Sequence, residues 1–295
     1  MSSVNVSLSA LWMLGAILAF SLTAIAGREA TQVLNSNALS ISQLVFFRNI
    51  VGLGIILTLL IAKGQFKQVC RSEYLGIHTG RNFAHFFGQW CWFYGLALLP
   101  LAQVFAIEFT VPIWTAIFAS LILAEKLTRR RVVAIILGFV GVLIILRPGF
   151  IGIPWACWVV LASAVAYAFS HTLTKKLSNY DGVLTILFYM HVLQLPMALF
   201  LVSFDFSWPQ GITWLFVVMT AIAALCAHYC MAKALTYADA TLVMPMDFLR
   251  LPLIALVGYL LYDEGLDWWL LLGAAIMLFG NMQALREKPN KLEAK

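Results

Sequence analysis

The sequence predicts an all-α integral membrane protein, with ten transmembrane helices arranged as two inverted five-helix repeats. Three observations carry that prediction. Of the 295 residues, 62% are hydrophobic and only 11% charged, against about 25% charged in a soluble domain. The chain cannot clothe itself in polar surface. Its apolar residues fall in ten long runs joined by short connections, and its two halves resemble each other at a shift of 139 residues.

A helix needs about 20 predominantly apolar residues to cross a bilayer. The runs lie at 9–30, 40–62, 74–97, 101–123, 132–147, 153–174, 183–204, 211–232, 241–261 and 268–285. Backbone polar groups in lipid must be bonded within the segment, and long runs without strand alternation select helices over a barrel. The first run reads as a span. Ala24-Ile25-Ala26 looks like a signal cleavage site, but residues 1–10 hold no Lys or Arg and the run is longer than a signal core.

Lys and Arg set the orientation. With the N-terminus in the cytoplasm, the inner loops and the C-terminal tail hold fourteen of the nineteen basic residues, and the outer ends hold only Arg28 and Arg147. Both termini are therefore expected in the cytoplasm. The net charge of +6 is a topology signal, not a nucleic-acid patch. Trp90, Trp92, Trp155, Trp158, Trp208, Trp214, Trp268 and Trp269 fall near outer span ends and read as an interfacial belt. The five cysteines form no CxxC pair and read as small apolar residues, so no metal or disulfide framework is predicted.

The shift of 139 sets Glu125 on Glu264, Gly141 on Gly280, Glu108 on Asp247 and Phe109 on Phe248. Upstream, LVFF (44–47) resembles ILFY (186–189), and AFS (19–21) matches AFS (168–170). Five spans per repeat is an odd number, so the second repeat enters the membrane from the opposite side. That is the usual architecture of secondary transporters, with a site near the midplane between the halves. The repeats are expected at 1–149 and 150–286, with a cytoplasmic tail at 287–295.

The stretch LAEKLTRRRVVAIILGFVGVLIILRPG (123–149) resembles the end of an EamA-type module: an acid after the fourth span, a Thr and basic residues, then a Gly-rich short span. With ten spans in two copies, the chain resembles the drug/metabolite transporter superfamily, EamA type, over essentially its whole length. The second copy, YDEGLDWW, keeps the acid and loses the Thr and basic residues. The resemblance implies a bacterial inner-membrane transporter with a central cavity lined mainly by spans 3, 4, 8 and 9. It implies spans 5 and 10 as packing elements, which their glycines suit. It names no substrate, because the superfamily handles amino acids, vitamins, nucleotide-like cofactors and organic cations.

Five ionisable residues lie inside spans: Arg48, Arg81, Glu108, Asp247 and Arg250. Each costs about 2.5–3.5 kcal/mol at the bilayer centre unless paired or watered. At about 1.5 Å per residue, Arg48 and Glu108 lie at one depth from the outer side, and Arg81 and Asp247 at one depth from the inner side. Depth thus predicts Arg48–Glu108 and Arg81–Asp247 pairs, with Arg250 competing for Asp247. Three arginines against two acids leave a surplus positive charge, which favours a carboxylate-bearing substrate; Arg48 also suits an ion-pair or structural role. In HTGRNFAHFFGQWCWFYG, residues His78, Arg81, His85, Gln89 and Trp92 share one helix face too polar for lipid. His85, His191 and His228 sit on separate spans and read as hydrogen-bonded core, not metal ligands. His191 takes the place in the second repeat that Asn49 holds in the first. Pro112, Pro245 and Pro252 bend the two spans that carry the acids. Phe105, Phe109, Trp114 and Phe248 supply apolar walls.

The sequence therefore predicts a secondary active transporter of a small polar metabolite, amino-acid-like or otherwise carboxylate-bearing, working by alternating access across the cytoplasmic membrane. Arg81, His85, Gln89, Glu108, Trp114, His228, Asp247 and Arg250 are the residues expected to bind substrate or gate. Protons are the candidate coupling ion. No cofactor is expected, and the protein is a monomer or a homodimer. The competing reading is an exporter of amphipathic organic cations, which wants a net acidic cavity. A lipid-modifying enzyme would need a catalytic cluster, and the scattered Ser and His residues supply none.

Overall fold

The computed structural model describes residues 5–31, 38–125, 127–146, 154–204, 206–265 and 268–285. The expected tail at 287–295, the boundary at 149/150 and the charges Lys126, Arg147 and Arg286 lie outside the described residues. The described residues form helices and turns. They are α1 (Val6–Thr31), α2 (Ile41–Ala62), the single turn α3 (Phe66–Val69), α4 (Leu75–Leu98), α5 (Leu101–Glu108), α6 (Val111–Leu123) and α7 (Arg129–Leu146) in the first repeat. The second repeat holds α8 (Trp155–Leu177), α9 (Val183–Val202), α10 (Thr213–Tyr237), the short α11 (Ala240–Val243), a 3₁₀ segment at Met244–Leu249, α12 (Arg250–Tyr262) and α13 (Trp268–Leu285).

Among the described residues, seven stretches are long and apolar enough to cross a membrane: Val6–Thr31, Ile41–Ala62, Gln103–Leu123, Trp155–Leu177, Val183–Val202, Thr213–Tyr237 and Ala240–Tyr262, and Val132–Ile145 is a shorter apolar helix. The expected runs at 74–97, 132–147 and 268–285 are also helical, as α4, α7 and α13. The polar face of α4 lowers its mean hydropathy.

The packing follows a two-fold relation between the repeats. α2 packs on its counterpart α9, and α7 on its counterpart α13. The other pairings are exchanged: α1 packs on α10 and α4 on α8. At α7 and α13 the backbones touch. A Cβ on Gly141 would lie 2.7 Å from the carbonyl oxygen of Gly273, and one on Gly273 2.7 Å from that of Gly141. Small residues permit this approach where lipid gives no hydrophobic drive to associate. Spans 5 and 10 thus pack on each other.

The two acids that follow the broken spans make reciprocal caps. Glu125 accepts the backbone N–H of Ala240 and Thr241, both at 3.1 Å, at the start of α11. Its counterpart Glu264 accepts the N–H of Leu101 at 3.0 and 3.1 Å, at the start of α5, and also holds Arg28 at 2.6 Å. Each repeat thus caps the free helix start of the other, where orphan N–H groups favour a carboxylate. The residue before each acid is left-handed: Ala124 at φ 54° and Asp263 at φ 52°. That turn ends the helix and sends the acid across the repeat interface.

Gly141→Ala is expected to cost about 1–3 kcal/mol, because the new methyl meets backbone that cannot yield. The check is the melting temperature of the detergent-purified protein, with Gly54→Ala as control, whose Cβ meets nothing within 4 Å. The control should hold or raise the melting temperature; equal effects at both positions would contradict the close α7–α13 contact.

Candidate functional site

The fourth and ninth spans break at the positions of their acids. Pro112 has no N–H for the carbonyl of Glu108, four residues back, so α5 ends at Glu108 and α6 starts afresh. In the ninth span Pro245 opens the 3₁₀ segment that carries Asp247, and Arg250 starts α12. Pro252 lies in the first turn of α12. The breaks face one another. The repeat-related rings of Phe109 and Phe248 meet edge to face with centroids 5.3 Å apart.

Arg250 joins the two acids. Its Nη2 donates to Glu108 Oε1 at 2.8 Å and to Asp247 Oδ2 at 2.5 Å. The side chain is 2% exposed, and its guanidinium lies 4.8 Å from the Phe105 ring centroid and 5.3 Å from that of Phe20. The acids are not equivalent. Both oxygens of Glu108 have a partner, since its Oε2 accepts the indole N–H of Trp92 at 2.8 Å. Asp247 Oδ1 is buried and has no partner among the described residues.

These groups border one cavity between the repeats. Its lining includes Phe20, Arg48, Gln89, Trp92, Glu108, Phe109, Pro112, Tyr167, His171, His228, Asp247 and Arg250. The rings of Tyr167 and His171 are stacked, with centroids 5.9 Å apart and 10° between planes. The Arg48 guanidinium donates to Gln89 Oε1. Charge in the cavity is uneven: two carboxylates share Arg250, while Arg48 meets no carboxylate among the described residues.

Several expectations change. The pairs Arg48–Glu108 and Arg81–Asp247 do not form, because Arg250 takes both acids. Equal depth does not make neighbours; the two broken spans cross at the repeat axis and bring their own acids together. Arg81 instead bonds Thr174 at 3.1 Å and Asn82 at 2.7 Å, outside the cavity lining. His85 sits behind His228, with ring centroids 4.7 Å apart, and meets Gln194 at 2.9 Å. Trp114 packs on the small cluster of Val111, Ala164 and Ala168. Trp92, read as a belt residue, is buried against Glu108 instead; it belongs to the polar face of α4. His191 bonds its repeat counterpart Asn49 at 3.1 Å. Tyr167 and His171 were missed, although they lie four apart on α8, a spacing that puts them on one face.

The EamA-like transporter family matches this chain twice, over residues 7–147 and 154–284. The chain is 32% identical to the riboflavin transporter of Vibrio cholerae over 271 residues, 91% of this chain and 90% of that protein. It is 31% identical to the riboflavin transporter of Rhizobium johnstonii over 281 residues, 95% of this chain and 91% of that one. An S-adenosylmethionine uptake transporter of Rickettsia felis is 26% identical over 237 residues, 80% of each chain. A solved crystal structure, 19% identical, shares the fold with a TM-score of 0.75, over 94% of this chain and 96% of that one.

The inequality of the acids is testable. Glu108→Gln turns an amide N–H toward a donor, either Arg250 or Trp92, and should cost about 3–5 kcal/mol, the scale for breaking a buried pair. Asp247→Asn can turn its amide to the free side and should cost less. Melting temperatures of the two variants in detergent decide; a larger loss for Asp247→Asn would reverse the ranking.

Proposed function

This chain belongs to the EamA-like transporter family, a multi-pass membrane protein, and from that premise we propose that it takes up riboflavin or a similar flat nitrogen heterocycle. The observation that carries the reading is the cavity between the repeats, walled by aromatic rings and spanned by the Arg250 bridge. Flat faces suit a fused ring, and the polar groups at the walls suit its carbonyls and hydroxyls. The relatives named for riboflavin, alike over nine-tenths of the chain, favour this over the amino-acid-like substrate that the arginine surplus suggested. Arg48 in the lining argues against the amphipathic-cation exporter.

We place ten spans in the bacterial inner membrane with both termini in the cytoplasm, and we assign transport to alternating access. The reciprocal caps supply the two latches. At the end with the basic loops, Glu125 holds the start of α11, and Lys175 donates to the carbonyls of Leu235 and Ala238 at 2.8 and 2.9 Å. At the opposite end Glu264 holds the start of α5 and Arg28, and Tyr262 donates to Glu29 at 2.8 Å. One latch opens while the other stays shut, and the broken spans hinge at Pro112 and Pro245. Asp247, with its free oxygen, is the group we assign to proton coupling.

Cells expressing the protein should accumulate labelled riboflavin, faster under an inward proton gradient, and Asp247→Asn should lose the gradient effect. Failure to accumulate riboflavin would reject the substrate; flux indifferent to the gradient would reject coupling. For the latches, Glu125→Ala and Glu264→Ala should bias the protein in opposite senses. A cysteine placed at Thr23 in the cavity should then react faster with an external thiol reagent in Glu264→Ala and slower in Glu125→Ala. Equal labelling of both would remove the latch assignment.

A further inference from the structure

We propose that Arg48 and Gln89 form the subsite that reads the hydrogen-bond-accepting edge of the transported ligand, a carbonyl or carboxylate oxygen. This rests on the reading of the cavity as the substrate site. Both side chains line that cavity and are 3% and 1% exposed. An arginine carries donors only, so the Gln89 amide oxygen must face Arg48, and the amide N–H₂ is turned away from it. That Nε2 is buried without a partner, and so is Arg48 Nε, among the described residues. Buried donors in folded proteins are almost always satisfied. Two orphans on one bonded pair, both lining a cavity, ask for an acceptor that enters the cavity.

The geometry also gives the ligand a direction. At the Arg250 end of the lining, Asp247 Oδ1 is a buried acceptor without a partner among the described residues, beside the equally unpartnered Arg250 Nε; a hydroxyl or amine suits this end. A ligand with carbonyl oxygens at one edge and hydroxyls at another meets both needs. The isoalloxazine dione edge and the ribityl chain of riboflavin are such a pair. A carboxylate would answer Arg48 equally well, which keeps S-adenosylmethionine as the second probe. A site built to donate hydrogen bonds rejects ligands lacking the acceptor, because its own buried groups are then left unpaired.

Gln89→Glu is the decisive variant. It keeps the side-chain length and the contact to Arg48, now as an ion pair, and removes the free donor. The test is equilibrium binding to the full-length purified protein, read by quenching of riboflavin fluorescence. S-adenosylmethionine is run by competition. The wild type should bind riboflavin, and Gln89→Glu should bind it at least tenfold more weakly while keeping the ligand-free melting temperature. Lumichrome, which has the dione edge but no ribityl chain, should compete; ribitol, which has only the hydroxyls, should not. Unchanged riboflavin affinity in Gln89→Glu overturns the subsite and leaves the proposed function standing. Binding of neither riboflavin nor S-adenosylmethionine to the wild type overturns both. Should Gln89→Glu fail to fold, the ligand contrast decides: competition by ribitol equal to that by lumichrome overturns the subsite.

Discussion

A guanidinium buried between two carboxylates from different repeats is the constraint on which the rest of this structure depends. Arg250 is always charged and 2% exposed. Its burial is tolerable only with Glu108 and Asp247 in place. To bring them there, the fourth and ninth spans must cross at one depth, and both must break. The prolines provide the breaks, and the freed helix ends place side chains where a straight helix would have placed backbone. The cavity is what remains around that crossing.

The same two-fold logic closes both ends. Glu125 caps the ninth span and Glu264 the fourth, each preceded by a left-handed residue. An acid on one repeat that satisfies orphan N–H groups on the other couples the halves without apolar burial, which counts for little in lipid. The α7–α13 seam does the opposite: its glycines bring two backbones into contact and offer no polar handle. One interface is held by side-chain hydrogen bonds, and the other by close backbone packing. The symmetry is not complete: both oxygens of Glu108 have a partner, and Oδ1 of its counterpart Asp247 has none among the described residues.

Much of this was legible in the chain. Charge scarcity and run length specify helices in a membrane, because an unbonded backbone in lipid is too costly. The shift of 139 specifies which residues are counterparts, and Phe109–Phe248 and Glu125–Glu264 keep that relation in space. The polar face of α4 was visible as a stripe, including Trp92, whose indole was nonetheless assigned to the interface. An indole near a span end satisfies its N–H equally well at a headgroup or at a buried carboxylate, and composition does not distinguish the two.

Partner choice was not legible. Depth along a span follows from counting residues, but neighbours depend on helix rotation and crossing, which no single helix encodes. So Arg81, at a suitable depth for Asp247, faces Thr174 and Asn82, and Tyr167 and His171 enter the cavity from a span with no intramembrane charge to announce it. By itself the sequence determined the solvent, the helices, the repeat and the positions of the breaks, because each follows from local chemistry. Only the tertiary structure decided which acid holds which arginine and which donors are left free, because those contacts join segments about 140 residues apart, between helices whose rotation is set by packing.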